Sequence, residues 1–263
     1  MNWSRRFLRV AALAAVFALG LAGTALADSK KWVGPTGGDW KEGTNWNPNE
    51  VPAAADEVLI SGAEVKITEA ANAKSVSLGQ GATLSIEGTG KLTLAAGGAL
   101  HASGDATVEV KAVDGLAFTT ATHITVNPDK ALTLKRKASG NIKGAGSLTL
   151  SGGGTLNVNL PLTTATGLEI KDGSTLNVVD TLPDLTGPAV TVTKGNLTLG
   201  YNLPAAVKRV EVTEGVLTVG QGRAIGNGSK TAPDGEVDLK DKGQLVLKDR
   251  KSTRLNSSHT NRS

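Results

Sequence analysis

The sequence predicts an all-β protein, a right-handed parallel β-helix of short strands with an N-terminal cap. Two series of apolar residues, from Leu84 to Leu156 and from Ile86 to Val158, recur at steps of eight, with one interruption at Gly140 in the first series. Residues i and i+2 face the same side of a strand, so each pair marks a short strand with one buried face. Turn-forming stretches such as Gly97-Gly98 and Asp114-Gly115 separate the pairs. After residue 27 we find no sustained i, i+3, i+4 stripe of an amphipathic helix.

The turns decide between two arrangements of these strands. Few of them have the two-residue Asn-Gly form of tight hairpins, which favours parallel coiling. Three strands of about eight residues then make one coil of roughly 24, within the range of solenoid repeats. An antiparallel β-repeat array is the alternative. Threonine and asparagine at predicted outward positions suit an exposed, soluble β surface; they are Thr83, Thr93, Thr149, Asn157, Asn177 and Thr198.

The composition agrees with stacked coils. Glycine is abundant, with 33 residues, and aromatic residues make up only 3% of the chain. A solenoid needs few aromatic rings, because each coil buries short aliphatic side chains against similar neighbours. The chain has no cysteine, which excludes disulfides and thiolate metal sites.

Residues 1–27 have the features of a signal peptide. Arg5, Arg6 and Arg9 form a basic start, an apolar run covers residues 10–21, and the small-x-small sequence at 25–27 precedes Asp28. The apolar run is shorter than the ~20 residues of a membrane span. We therefore expect cleavage after residue 27 and export.

The C-terminal residues 249–263 break the strand pattern that holds up to Leu247. The stretch from Asp249 to His259 resembles the translation of a widely used sequencing adaptor. We therefore expect Lys248 to be the last native residue, the repeats to be truncated there, and His259 to have no function. Without this tail and the signal segment, the net charge of +4 becomes slightly negative, so a nucleic-acid partner is not expected.

Residues 28–57 form a tryptophan-rich segment ahead of the repeats, which we place at 58–248. Trp32, Trp40 and Trp46 are three of the four tryptophans in the chain. The pattern W-x-G…G-G-D-W…N-W…V-P…D-x-V-x-I, over about residues 31–60, resembles the opening of large secreted bacterial β-helix proteins, including autotransporter-type passengers with β-strand repeats. The resemblance implies an exported β-helix and indicates architecture more than activity.

Two roles are open for these tryptophans. A solenoid must cover the end of its core, and three large rings could close it. Exposed indole rings could instead stack on sugars, because they combine apolar area with a hydrogen-bonding edge. We favour the cap, since terminal repeats need one in any case.

The repeat becomes less regular after Val158. Seven-residue steps cross Lys194-Gly195 and Glu214-Gly215, which we interpret as turns. A longer excursion is expected at 183–188 and a polar loop at 221–235.

We expect no catalytic residue, no cofactor and no metal site. The sequence contains no HExxH, CxxC, G-x-S-x-G or phosphate-binding loop. His101 and His123 each lie one residue outside an apolar register, so both are predicted to face solvent or a turn. His101 and Asp105 could contribute to a metal site, but no third ligand has convincing spacing.

Acidic and basic residues allow further hypotheses. An enzyme on this fold would need carboxylates that converge across coils; the candidates are Asp105, Glu109, Asp129, Glu169 and Asp172. Aspartates before glycine, such as Asp114, Asp172 and Asp234, are more typical of turns. The run Lys135-Arg136-Lys137 is interpreted as an edge guard against strand addition, with binding of an acidic glycan as the alternative.

We expect a non-enzymatic, exported bacterial surface or secreted protein with a structural or adhesive role. Surface glycans or host and matrix proteins are the expected partners, and outer-membrane association is expected only through a region missing after Lys248. A polysaccharide lyase or hydrolase, or a glycan-binding module centred on the three tryptophans, is the alternative.

Overall fold

A computed structural model describes residues 28–137, 141–144, 146–160, 162–164, 167–179, 184–185, 189–200, 209–219 and 236–247. The predicted signal peptide, the loop at 221–235, Asp234, most of the excursion at 183–188 and all residues from Lys248 onwards lie outside these ranges. The described residues are nearly all β, with one 3-10 turn at Gly43–Asn45.

The strands follow one another at short intervals. In chain order they are β1 (Ser29–Trp32), β2 (Gly38–Asp39), β3 (Trp46–Asn47), β4 (Glu57–Ile60), β5 (Glu64–Ile67), β6 (Ala70–Leu78), β7 (Thr83–Ile86), β8 (Lys91–Ala102), β9 (Ala106–Val110), β10 (Leu116–Phe118), β11 (Thr122–Val126), β12 (Ala131–Arg136), β13 (Ile142–Gly144), β14 (Ser147–Ser151), β15 (Thr155–Asn159), β16 (Leu162–Thr164), β17 (Gly167–Ile170), β18 (Ser174–Val178), β19 (Asp184–Leu185), β20 (Ala189–Leu199), β21 (Arg209–Val219), β22 (Glu236–Leu239) and β23 (Gln244–Leu247).

These strands stack into three parallel faces around one core. Face A contains β1, β4, β11, β14, β17, β22, the second halves of β6 and β8, and the first halves of β20 and β21. Face B contains β2, β5, β7, β9, β12, β15, β18, β23 and the second halves of β20 and β21. Face C contains β10, β13, β16, β19 and the first halves of β6 and β8.

The pairing confirms a parallel β-helix. Val76 pairs with Leu100, and Leu100 with Ile124, so one coil spans 24 residues here. The coil lengthens to 26 residues between Ile124 and Leu150 and shortens to 20 between Leu150 and Ile170. Among the described strands only the pair β1–β3 is antiparallel, which rules out the antiparallel array.

The two apolar series form the core, as the sequence predicts. Their described members are at most 4% exposed, the largest value being that of Phe118. Full burial of an aliphatic side chain of this size contributes about 1.5–3 kcal/mol. The repeated contribution of these side chains holds the coils together without large aromatic residues.

Three of the predicted turns prove to be corners inside continuous strands. Gly97-Gly98 lies within β8, Lys194-Gly195 within β20 and Glu214-Gly215 within β21. Pairing continues through the corner, since Lys194 pairs with Glu214 and Gly195 with Gly215. A Cβ on Gly215 would lie 2.0 Å from the carbonyl oxygen of Gly195. Glycine therefore lets the chain bend while the neighbouring backbones stay in hydrogen-bonding contact.

The aspartates predicted in turns do occupy turn conformations. Asp114 has φ of 51° and Asp172 has φ of 57°, in the left-handed region. Aspartate tolerates this region better than most residues because its short side chain can hydrogen-bond locally. Nδ2 of Asn141 donates to Oδ1 of Asp114 at 2.9 Å and so joins this turn to the next coil.

Candidate functional site

The three tryptophans of the N-terminal segment lie together in the first coil. Trp32 and Trp46 face each other across the β1–β3 pair. Their ring centroids are 4.9 Å apart with an interplanar angle of 83°, and Trp40 contacts Trp46 edge-on at the same 4.9 Å distance. Such edge-to-face pairs contribute about 0.5–1.5 kcal/mol beyond the buried area.

Burial of these rings favours the cap over the sugar platform. Trp32 is 6% exposed, and Trp40 and Trp46 are 0% exposed. No ring face is left on which a sugar could stack. The segment also belongs to the solenoid itself, because β1 and β2 pair in parallel with β4 and β5.

Only one of the three indole N–H groups in the cluster has a hydrogen-bond partner. Nε1 of Trp46 donates to the backbone carbonyl of Trp40 at 2.8 Å. Nε1 of Trp32 and Nε1 of Trp40 are buried without a hydrogen-bond partner. A buried, unpaired donor costs about 1–3 kcal/mol, so the cluster combines favourable packing with two unfavourable polar groups.

A buried lysine beside this cluster escaped the sequence analysis. Lys30 is 1% exposed at the inward position of β1 that pairs with Val58. Its Nζ lies 2.8 Å from Oε2 of Glu50 and 3.6 Å from Oδ2 of Asp28. The hydrogen bond to Glu50 raises the pKa of Lys30, against the opposing effect of burial. The aliphatic stem thus covers the core while the ammonium reaches carboxylates outside it.

The two histidines considered in the sequence both lie on face A, His101 on β8 and His123 on β11. A ring nitrogen of His101 lies 3.0 Å from Oδ1 of Asn127, and His123 is exposed on face A. Asp105 accepts hydrogen bonds from the backbone N–H of Ala131 at 2.9 Å and from Nε2 of Gln80 at 3.5 Å. These bonds lower the pKa of Asp105. The described residues contain no group of three or more possible ligands arranged to hold a metal ion.

The five candidate carboxylates are distributed over two faces and one edge of the solenoid. Glu109 lies on β9 of face B, whereas Glu169 lies on β17 of face A. Asp105, Asp129 and Asp172 occupy the corners between faces A and B. Oγ1 of Thr149 donates to Oε2 of Glu169 at 3.4 Å. Thr149, predicted to be outward, is only 8% exposed.

The interpretation of Lys135-Arg136-Lys137 as an edge guard is wrong. Strand β12 is internal, with β9 on one side and β15 on the other. Nζ of Lys135 lies 2.6 Å from Oε1 of Glu109, and Nζ of Lys137 lies 3.4 Å from Oε2 of the same residue. The hydrogen bond from Lys135 lowers the pKa of Glu109. The basic run therefore neutralises a carboxylate of the preceding coil.

A second charged bridge of the same kind joins the ends of β7 and β9 on face B. Glu87 accepts hydrogen bonds from Nζ of Lys111 and, at 2.8 Å, from Oγ of Ser85. The bond from Lys111 is the main cause of the lowered pKa of Glu87, and the bond from Ser85 adds to it. Charged groups on successive coils thus pair along the solenoid axis.

Face B also carries an uncharged row that crosses seven successive strands. The outward residues in register are Thr83, Thr107, Thr133, Asn157, Asn177, Thr198 and Thr218. Nδ2 of Asn177 donates to Oδ1 of Asn157 at 3.0 Å. Several of these residues are among the outward positions predicted from the sequence, whereas their alignment in one row follows only from the strand pairing.

A family model described as a domain of unknown function (DUF8693) matches residues 31–116, which include the tryptophan cluster and the coils as far as the start of β10. No curated protein and no solved structure matches the chain. In the part of the chain that the structure describes, no helix has the length and hydrophobicity needed to cross a membrane.

Proposed function

We propose that this protein is an exported, non-enzymatic β-solenoid of the bacterial surface, with a structural or adhesive role. The observation that carries the proposal is how the charged side chains are used. Glu87 and Glu109 bind lysines of the next coil, and Asp105 holds the backbone of the next coil. Carboxylates that bind the next coil in this way stabilise the stacking of the coils rather than take part in a reaction.

The fold supports the proposal because stacked coils form a rod with long outward faces that can make many weak contacts. Ten described strands stack on face A, which at ~4.8 Å per strand gives a rod of roughly 40 Å. The tryptophan cluster closes the first coil of this rod. Flat outward faces of this kind can make repeated contacts with a surface along their whole length, and the repeats provide the same chemistry at regular intervals.

Export and location can be tested in cells that carry the natural gene. We expect an antibody against residues 58–200 to label intact cells, and external protease to remove the signal. The matched control lacks residues 2–27 and should give label only after permeabilisation. Retention of the unaltered protein inside the cell would refute the proposal.

The adhesive role needs a separate measurement. Cells without the gene should attach less to a surface coated with glycan or matrix protein, and the restored gene should recover attachment. The purified chain should release no reducing or unsaturated sugar ends from polysaccharides. Turnover of such a substrate would instead support the lyase or hydrolase alternative.

A further inference from the structure

One region of face B combines two uncharged rows into a small lattice, which we call the neutral patch. Its six residues project outward from β15, β18 and β20; they are Thr155, Asn157, Thr175, Asn177, Asn196 and Thr198. Thr155, Thr175 and Asn196 are in register across the strands, and so are Asn157, Asn177 and Thr198. The patch therefore repeats at ~4.8 Å along the axis and about 6.8 Å along each strand.

The patch is held in place by its own hydrogen bonds. Nδ2 of Asn177 donates to Oδ1 of Asn157 at 3.0 Å, and Nδ2 of Asn196 donates to Oγ1 of Thr175 at 3.3 Å. An amide carries two N–H donors and a carbonyl with two lone pairs. Each asparagine in these bonds consequently keeps further donors or acceptors for a ligand, in a fixed orientation.

The composition of the patch argues against most ligand classes. Its six residues carry no charge, whereas phosphate and acidic glycans need lysine or arginine. Ahead of the patch on face B, Lys135 and Lys137 are paired with Glu109. Protein interfaces draw most of their binding energy from tryptophan, tyrosine and arginine, and the patch contains none of these.

Hydroxyl and amide groups at regular spacing fit a ligand with the same properties. Sugar hydroxyls donate and accept hydrogen bonds, as the threonine and asparagine side chains do. A repeating lattice matches a polymer better than a single small molecule, because successive units meet equivalent groups. We propose that the neutral patch binds a linear, uncharged polysaccharide that lies along the solenoid axis. This inference rests on the proposed adhesive function and assigns its contact surface.

Strand β20 offers a variant and a matched control. Thr198 projects from its face B half into the patch, and Thr191 projects from its face A half. Both are half-buried. The variant Thr198→Arg places a long, charged side chain on the patch, Thr191→Arg places the same side chain on the other face, and Thr198→Ser keeps the hydroxyl.

Affinity electrophoresis of the full chain in gels with hydroxyethyl cellulose, galactomannan or dextran tests the proposal, with alginate as the acidic comparison. We expect at least one neutral polymer to retard the protein. Thr198→Arg should weaken this binding by about tenfold or more, as for a central contact residue. Thr191→Arg and Thr198→Ser should bind like the wild type, with unchanged circular dichroism.

Several outcomes would overturn the inference. These are no retardation by any neutral polymer, retardation by alginate alone, and equal effects of the two arginine variants. A second copy of the chain would be the true occupant if the wild type sediments as a dimer without polysaccharide and Thr198→Arg as a monomer. Surface labelling and adhesion that survive in Thr198→Arg cells would refute the patch but leave the proposed function intact; absence of surface labelling would refute that function.

Discussion

The tryptophan cluster predicts that two similar substitutions differ sharply in cost. Trp46→Phe and Trp40→Phe each remove part of a fully buried indole, with a packing loss of about 1–2 kcal/mol. Trp46→Phe also removes the donor to the Trp40 carbonyl, which adds about 1–3 kcal/mol. Trp40→Phe removes a buried N–H that has no partner, and this relief of about 1–3 kcal/mol offsets the packing loss.

We therefore expect Trp46→Phe to destabilise the protein by about 2–5 kcal/mol, whereas Trp40→Phe should lie between about 2 kcal/mol more stable and about 1 kcal/mol less stable than the wild type. Urea unfolding followed by far-ultraviolet circular dichroism measures both, since tryptophan fluorescence would itself change. Because coils can unfold in sequence, amide hydrogen exchange of β1 and β4 should accompany the melts. Equal costs for the two substitutions would show that hydrogen bonding does not decide the energetics of this cluster.

Two further predictions concern the corners and the charged bridges. Gly215→Ala should cost about 3 kcal/mol or more, because the new Cβ meets the Gly195 carbonyl at 2.0 Å. In contrast Gly43→Ala, with its nearest contact at 3.6 Å, should cost less than about 1 kcal/mol; similar urea midpoints for the two would contradict the close approach at the corner. The pKa of Glu109 is lower in the folded protein than in the unfolded chain, so the unfolded chain binds the proton more readily. The ionised Glu109 therefore stabilises the folded protein above pH 4.5, the pKa of an unperturbed glutamate. This stabilisation is lost as the pH falls through the folded pKa. Glu109→Gln should therefore melt below the wild type at pH 7 and approach it at pH 3; a gap that does not change with pH would refute this linkage.

The core was predictable from sequence because it depends on local periodicity. Residues such as Leu84, Leu92 and Leu100 are two residues from an apolar partner and eight from the next pair, and both spacings follow from strand and turn geometry. The positive φ angles of Asp114 and Asp172 likewise follow from the preference of Asp-Gly for turns. These features need no knowledge of which strands pair.

The wrong or missing predictions concern residues whose surroundings depend on which strands pair. Gly97-Gly98 has the composition of a turn, and only the pairing of β8 with β6 and β11 shows that the strand resumes on face A at Ala99. Lys135 resembles an edge guard until β9 and β15 are placed beside β12. Lys30 was missed because a charged residue at an inward position breaks the apolar pattern, and its partner Glu50 is distant in sequence. The ion pairs of Lys135 with Glu109 and of Lys30 with Glu50 have no local sequence signal.

The number of residues between paired strands also determines how the chain can fold. Paired strands on faces A and B are 18 to 28 residues apart, and this separation does not grow as coils are added. Contacts are thus local for an all-β protein, at about a tenth of the chain length, a value more typical of helical bundles that fold quickly. Each new coil only needs to close a loop of similar length against a coil that is already folded. A longer protein of this kind would therefore extend its structure coil by coil, without a larger entropic barrier for each step.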